Sequence, residues 1–468
     1  MPESVEIPPV GAERLRDVLT EEALRAFEAG AEEGRALLEG RTVWNVNSTA
    51  RGGGVVELLR PLVGYARGIG LDCRWEVIGG DREFFDVTKR LHNRLHGAAG
   101  DGRPLDEAAR RTYERTLRAE ADGLAAGIRA RDVVILHDPQ TAGLVEPLRR
   151  TGAKVIWRCH IGLDEPNATV RGAWSFLHPY VADADAFVFS RRAFAWEHLD
   201  SCRIHVIAPS IDAFAPKNQD LDGETVRSVL LASRLVRDGA PPDGARFARQ
   251  DGSPGRVTRH AEVYEDVPLA LADPVVVQVS RWDELKDPLG VIRGFAEHVP
   301  DAHLVYAGPS VAAVADDPEG EQVLRNALRL REQLPERARR RLHLACLPMD
   351  DPEENAIIVN ALQRHARVVV QKSLAEGFGL TVAEAMWKAR PVVASRIGGI
   401  QDQIEHGRSG VLLDDPADLA AFGDAVAGLL ADTERAERIG DAARERVRND
   451  FLSSRSLLDY LAVVRAVL

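Results

Sequence analysis

Short apolar runs alternate with longer amphipathic stretches along almost the whole chain. Thr42–Asn47, Asp132–His137, Lys154–His160, Ala186–Ser190 and His205–Pro209 form a first series of runs. Val275–Ser280, His303–Ala307, Arg341–Leu347, Arg367–Gln371, Pro391–Ser395 and Gly410–Leu413 form a second. They are rich in Val and Ile, bounded by Gly, Pro or Asp, and show little polar alternation. Strands buried on both faces of a parallel sheet have that pattern. Between them, Val55–Arg67, Asp106–Gly127, Pro288–His298 and Ala417–Leu430 carry helical periodicity. Two such series predict an α/β protein of two Rossmann-like, parallel-sheet domains. The boundary is expected near Pro209–Lys217, giving a first domain over 1–212 and a second over 213–452. Arg237–Pro274 breaks the rhythm and reads as an insertion, about 237–274, in the second domain. The amphipathic stretch after Leu452 is expected to form a helix, 453–468, packed back on the first domain.

A chain of 468 residues exceeds what one hydrophobic core usually supports, which agrees with two domains. Its 60 basic and 72 acidic side chains give a formal net charge of -12. A general nucleic-acid binder needs a basic face, so that class is excluded; a small basic site for a nucleotide diphosphate is not. The four cysteines, Cys73, Cys159, Cys202 and Cys346, form no CxxC pair, which argues against a metal knuckle or redox motif. Met1–Val10 lacks a basic segment followed by an apolar core, and no apolar run reaches the length of a membrane span. The expected setting is the reducing cytoplasm.

Candidate chemistry gathers where runs end. Glu376-Gly-Phe-Gly-Leu-Thr-Val-Ala-Glu384 follows Arg367–Gln371 and opens a helix expected over Leu380–Lys388. A glycine turn entering a helix exposes backbone N–H groups and the positive end of the helix dipole, which favours an anion. One carboxylate can accept from sugar hydroxyls and the other from a ribose diol; the plainer alternative is a turn with two solvated glutamates. Arg281 and Lys286 follow Val275–Ser280 and supply a planar fork and a point charge for a diphosphate. The alternative there is a surface loop with ordinary solvated cations. Arg51-Gly52-Gly53-Gly54 lies between a strand and a helix, where glycines let backbone approach a ligand, yet it is neither GxGxxG nor a Walker loop. His137 and His160 end strands of the first series, where a histidine serves structure as readily as function. Neither sits in a metal-ligating cluster, so no metal is expected.

Taken together, the glycine loop, Arg281 with Lys286, and the Glu376/Glu384 pair resemble glycosyltransferase family four, whose members adopt the GT-B fold: two facing Rossmann-like domains with a cleft between them. The resemblance narrows to the trehalose glycosyltransferring synthases through Val43–Val55, Asp86–Asn93, His137–Gln140, Trp157–Ile161, Pro209–Asp212 and Gln371–Lys388. It runs from about Thr42 onward. It implies a retaining enzyme that joins glucose from a nucleotide sugar to glucose, with no cofactor and no metal. Arg281 and Lys286 would bind the donor diphosphate, Glu384 the ribose, and Glu376 the transferred sugar. Gly377, Phe378, Gly379 and Leu380 would line the same pocket. Gly53 and Gly54 would approach the phosphate or the reacting sugar, and His160 would contact the transferred glucose. The donor site is thus expected to be divided between the domains and to close for transfer. The expected partners are nucleotide sugar and glucose, not nucleic acid or membrane; a homodimer is compatible with this. One departure stands out: after His160-Ile161 the relatives usually carry Asp, and this chain has Gly162. The resemblance also admits a trehalose phosphorylase using glucose 1-phosphate, or a non-catalytic nucleotide-sugar-binding regulator.

Overall fold

The computed structural model describes residues 2–239, 245–311 and 318–468. The chain divides into two compact units, one running up to Ile211 together with Phe451–Leu468, the other Asp212–Asp450.

The first unit is built on β1 (Glu3–Ser4), β2 (Thr42–Asn47), β3 (Asp72–Val77), β4 (Val133–His137), β5 (Lys154–Cys159), β6 (Ala186–Phe189) and β7 (Ile204–Val206). Their order in the sheet is β1-β3-β2-β4-β5-β6-β7, and only β1 runs antiparallel. Every residue of β2, β4 and β6 is buried, as the unbroken apolar runs require. Each buried Val, Leu or Ile side chain contributes about 1.5–3 kcal/mol relative to exposure. β3 is absent from the sequence expectation because Asp72 and Arg74 give it an exposed, alternating face.

The C-terminal helix Ser453–Val467 belongs to this unit: Ile211 N donates to Phe451 O (2.8 Å) and Ser453 N to Ile211 O (3.0 Å). At its other end the unit is strapped by its N-terminal segment. Val10 N donates to Gly64 O (2.9 Å), and the segment then crosses the helix Gly54–Gly68 at Gly68, where a Cβ would lie 1.8 Å from Val10 O.

The second unit contains β8 (Arg246–Ala248), β9 (Pro254–Arg256), β10 (Glu262–Tyr264), β11 (Val275–Val279), β12 (His303–Pro309), β13 (Leu342–Leu347), β14 (Val368–Gln371), β15 (Val392–Ser395) and β16 (Val411–Leu413). The large sheet has the order β10-β13-β12-β11-β14-β15-β16, with β10 antiparallel. The expected insertion, 237–274, holds the hairpin β8–β9 and the edge strand β10; its residues 240–244 lie outside the described residues. Buried Glu354 anchors that region by accepting N–H bonds from Thr258 (2.5 Å) and Arg259 (2.6 Å).

Each sheet reverses its strand order once, between β2 and β4 in the first and between β11 and β14 in the second. Ligands of doubly wound sheets bind beyond the carboxyl ends of the strands at such a switch point.

Gly68→Ala is expected to lower stability by roughly 1–3 kcal/mol, because the added methyl meets backbone that must move. Gly172→Ala, in a helix with nothing within 4 Å of the new Cβ, should raise it by about 0.5–1 kcal/mol. Urea unfolding of both variants beside the parent checks the pair.

Candidate functional site

In the second unit, the loops after β11 and β14 meet at the switch point. β11 is followed by Arg281, buried Trp282 and the short turn Glu284–Lys286, and β14 by the Glu376 loop. Leu374 N donates to Leu285 O (2.8 Å), so the two loops are stitched together. Lys286 Nζ then lies 2.6 Å from Glu376 Oε2, with only 14% of either side chain exposed.

Lys286 is held from beneath. Gln278, fully buried at the end of β11, donates Nε2–H to Lys286 O (2.8 Å) and accepts from Lys372 N (3.2 Å). Lys372, also fully buried, forms an ion pair with Asp287. Asp287 adopts the left-handed conformation (φ 47°, ψ 53°) and caps the helix Pro288–His298 through Gly290 N (3.0 Å). A Cβ on residue 290 would collide with that carboxylate, which explains the glycine.

The Glu376–Gly379 loop turns through Gly379 at φ 80° into the helix Leu380–Trp387. A second glycine turn packs against it. Gly399 N donates to Gly377 O (2.9 Å), Gln403 Nε2–H donates to Phe378 O (2.5 Å), and a Cβ at Gly398 would sit 1.8 Å from Glu376 O.

The remaining candidates are placed differently. Arg281 is 67% exposed and pairs with Asp283 (2.7 Å). Glu384 is buried, with Lys217 Nζ 3.5 Å from its Oε1. Lys388, one helical turn on, donates to Glu384 O (2.9 Å) and Asn218 Oδ1 (3.3 Å); burial pushes its ammonium well below the ordinary lysine range.

In the first unit, Gly52 (φ 68°) and Gly53 (φ 83°) turn β2 into the helix that begins at Gly54. All three are exposed, and nothing lies within 4 Å of a Cβ built on Gly52 or Gly53. Across the same switch point stand the ends of β4 and β5. His137 Nδ1 lies 3.2 Å from His160 Nε2, and the two rings stack with centroids 5.5 Å apart. Burial pushes the His137 imidazole down to about 3 and holds His160 well below the ordinary histidine range; the Arg158 charge adds to both shifts. Asp138, at φ 67°, accepts from His160 N (2.7 Å), and burial pushes its carboxyl up to about 6.

Several supporting residues escaped the sequence reading. Lys372 carried a signal, a lysine continuing the buried run Arg367–Gln371. Gly398-Gly399 carried another, a glycine pair between strand β15 and the next helix. Gln278 carried none, since one amide inside an apolar run has no period of its own. Among the described residues, no group of three or more His, Cys, Asp or Glu side chains could hold a metal ion. No described helix is long and apolar enough to cross a membrane.

The fold is that of the GT-B glycosyltransferases. An Escherichia coli trehalose-6-phosphate structure bound with UDP-2-fluoro glucose superposes with a TM-score of 0.66 at 13% identity, over 91% of this chain and 99% of that one. The trehalose synthase N-terminal domain family matches residues 45–196, and the glycosyl transferases group 1 family matches residues 263–446. The trehalose synthase of Rubrobacter xylanophilus is 37% identical over 92% of each chain, and that of Thermococcus litoralis 32% identical over 97% of this chain and 96% of its own. The chain belongs to the trehalose synthase family. Trehalose phosphorylases are more distant: that of Pleurotus pulmonarius is 27% identical over 86% of this chain and 54% of its own.

Gly398→Ala should displace the Glu376 loop, because the new methyl meets carbonyl oxygen at a φ of 46°. Faster hydrogen exchange at the Gly377 and Gly379 amides, with the parent protein as reference, is the expected result.

Proposed function

We propose that this protein transfers glucose from a nucleoside-diphosphate glucose to the anomeric hydroxyl of glucose, forming α,α-trehalose with retention. The observation that carries the proposal is the largely buried Lys286–Glu376 pair at the switch point of the second sheet, a cation beside a carboxylate, which suits a diphosphate next to a sugar. The bond from C1 to the diphosphate oxygen breaks, and a bond from C1 to the acceptor oxygen forms on the same face. The acceptor proton passes to the departing phosphate oxygen. Negative charge grows on that diphosphate, and oriented cations stabilise it more in the transition state than in the ground state.

Lys286 and Arg281 are assigned to the diphosphate, the point charge on a braced loop and the fork on an exposed side chain. Glu376, in exchanging Lys286 for substrate, accepts from hydroxyls of the transferred sugar, and Glu384 from the ribose diol. The amides from Gly377 to Leu380 line that pocket. In the first unit, His160 is assigned to the transferred glucose, and the backbone at Gly53 and Gly54 to the phosphate or the reacting sugar. No metal is included, because two cations can neutralise the diphosphate.

Lys286→Ala should lower kcat/KM on the order of a hundredfold or more, and Arg281→Lys should also lose efficiency because the planar fork is gone. Near-parental efficiency in either variant would remove that residue from the assignment.

Incubation with UDP-, ADP- or GDP-glucose plus glucose should yield trehalose with at least one donor, with or without EDTA. Trehalose formed only from glucose 1-phosphate and glucose would instead establish a phosphorylase. Loss of activity in EDTA that a divalent ion restores would overturn the metal-free account.

A further inference from the structure

His137 ends β4 in line with His160, yet the reaction above gives it no task. Its surroundings do. Asn45 of β2 is buried; it donates Nδ2–H to Cys73 Sγ (3.4 Å) and turns Oδ1 to His137 Nε2 at 3.2 Å. An amide oxygen only accepts, so His137 Nε2 carries a proton. A neutral imidazole holds one proton, so His137 Nδ1 is an acceptor, and His160 Nε2, 3.2 Å away, is its donor. His160 Nδ1 is then a bare lone pair.

That lone pair is buried and meets no protein donor. Arg158, two residues earlier on β5, is 1% exposed; its Nη2 donates to Ile207 O (2.8 Å) and Ser190 Oγ (3.2 Å), while its Nε and Nη1 are buried without a protein acceptor. Arg158, His160 and His137 line one cavity of about 10 Å³, together with Ser456 and Tyr460 of the C-terminal helix. A cavity of that size holds one water when two or more polar partners face it. One water accepting from an Arg158 N–H and donating to His160 Nδ1 gives His160 its missing donor and one of the two Arg158 nitrogens an acceptor. The hydrogen bonds then run in a single direction, from Arg158 through water, His160 and His137 to Asn45.

We propose that Asn45, His137 and Arg158 are positioning residues that fix the ring of His160 in its Nε2-protonated tautomer, so that it meets the transferred sugar in one orientation. The assignment of His160 to the sugar rests on the proposed function; the tautomer does not. The charged or titratable groups around the pair are Arg158, Asp138 and Cys159 on their own strands and Tyr460 of the C-terminal helix; Cys73 lies beyond Asn45, and Arg455 and Asp459 lie beside Tyr460. The helix Gly54–Gly68 contributes the apolar Leu58, Leu59 and Leu62.

The test uses the full-length protein labelled with nitrogen-15 histidine, with the His160 signals assigned by their loss in His160→Gln. The expected spectrum has a pyrrole-type Nε2 and a pyridine-type Nδ1 on His160. The opposite tautomer, or exchange between the two, overturns the proposal. Two variants follow, each checked for parental thermal unfolding. His137→Phe keeps a ring and removes the acceptor; it should mix the His160 tautomers and lower kcat roughly ten- to a hundredfold, with nucleotide affinity within about twofold of the parent. His137→Asn, whose side-chain oxygen can accept from His160 Nε2, should restore the tautomer and most of the turnover. Parental kcat in His137→Phe, or equal losses in both variants with the tautomer unchanged, overturns the positioning role. If His160→Ala itself leaves turnover unchanged, the sugar assignment fails, and the spectrum still decides the tautomer.

Discussion

A parallel strand covered on both faces uses its backbone hydrogen bonds on its neighbours, so reactive groups collect where the strand stops. That constraint organises both units. Two of the side chains assigned to ligand, Lys286 and His160, are steadied by polar neighbours buried at the strand ends. Gln278 and Lys372 do this for Lys286; Asn45, His137 and Arg158 do it for His160. A buried polar group without a partner is expensive, so these supports are tightly specified and hard to replace singly.

Asp287 shows how such a support works in energetic terms. A left-handed aspartate is disfavoured by about 1 kcal/mol or more, and the charge of fully buried Lys372 is tolerable only beside a carboxylate. Removing either partner would leave the other charge buried and uncompensated, so the two residues are retained as a pair. Asp287 in turn starts a helix, so the position of Lys286 is coupled to the packing of Pro288–His298.

Much of this was legible in the chain. Unbroken runs such as Val275–Ser280 have one structural solution, and the strand observed there spans Val275–Val279. Glu376 and Lys286 could be nominated because a glycine turn and a strand end announce themselves locally. Their 2.6 Å approach could not, since 90 residues separate them and only the strand order joins them. β3 was hidden by its polar outer face. The burial of Glu384 against Lys217 was hidden for the opposite reason: helix periodicity placed it on a face but did not say what covered that face.

The return of Ser453–Val467 to the first unit makes that unit discontinuous along the chain, whereas the second is continuous. During synthesis the unit begun first therefore cannot be completed until the chain beyond Asp450 has been made. The earlier residues wait, with the seat for Leu457, Tyr460 and Leu461 still open, until the final helix emerges. Chaperone demand should fall on the segment made first.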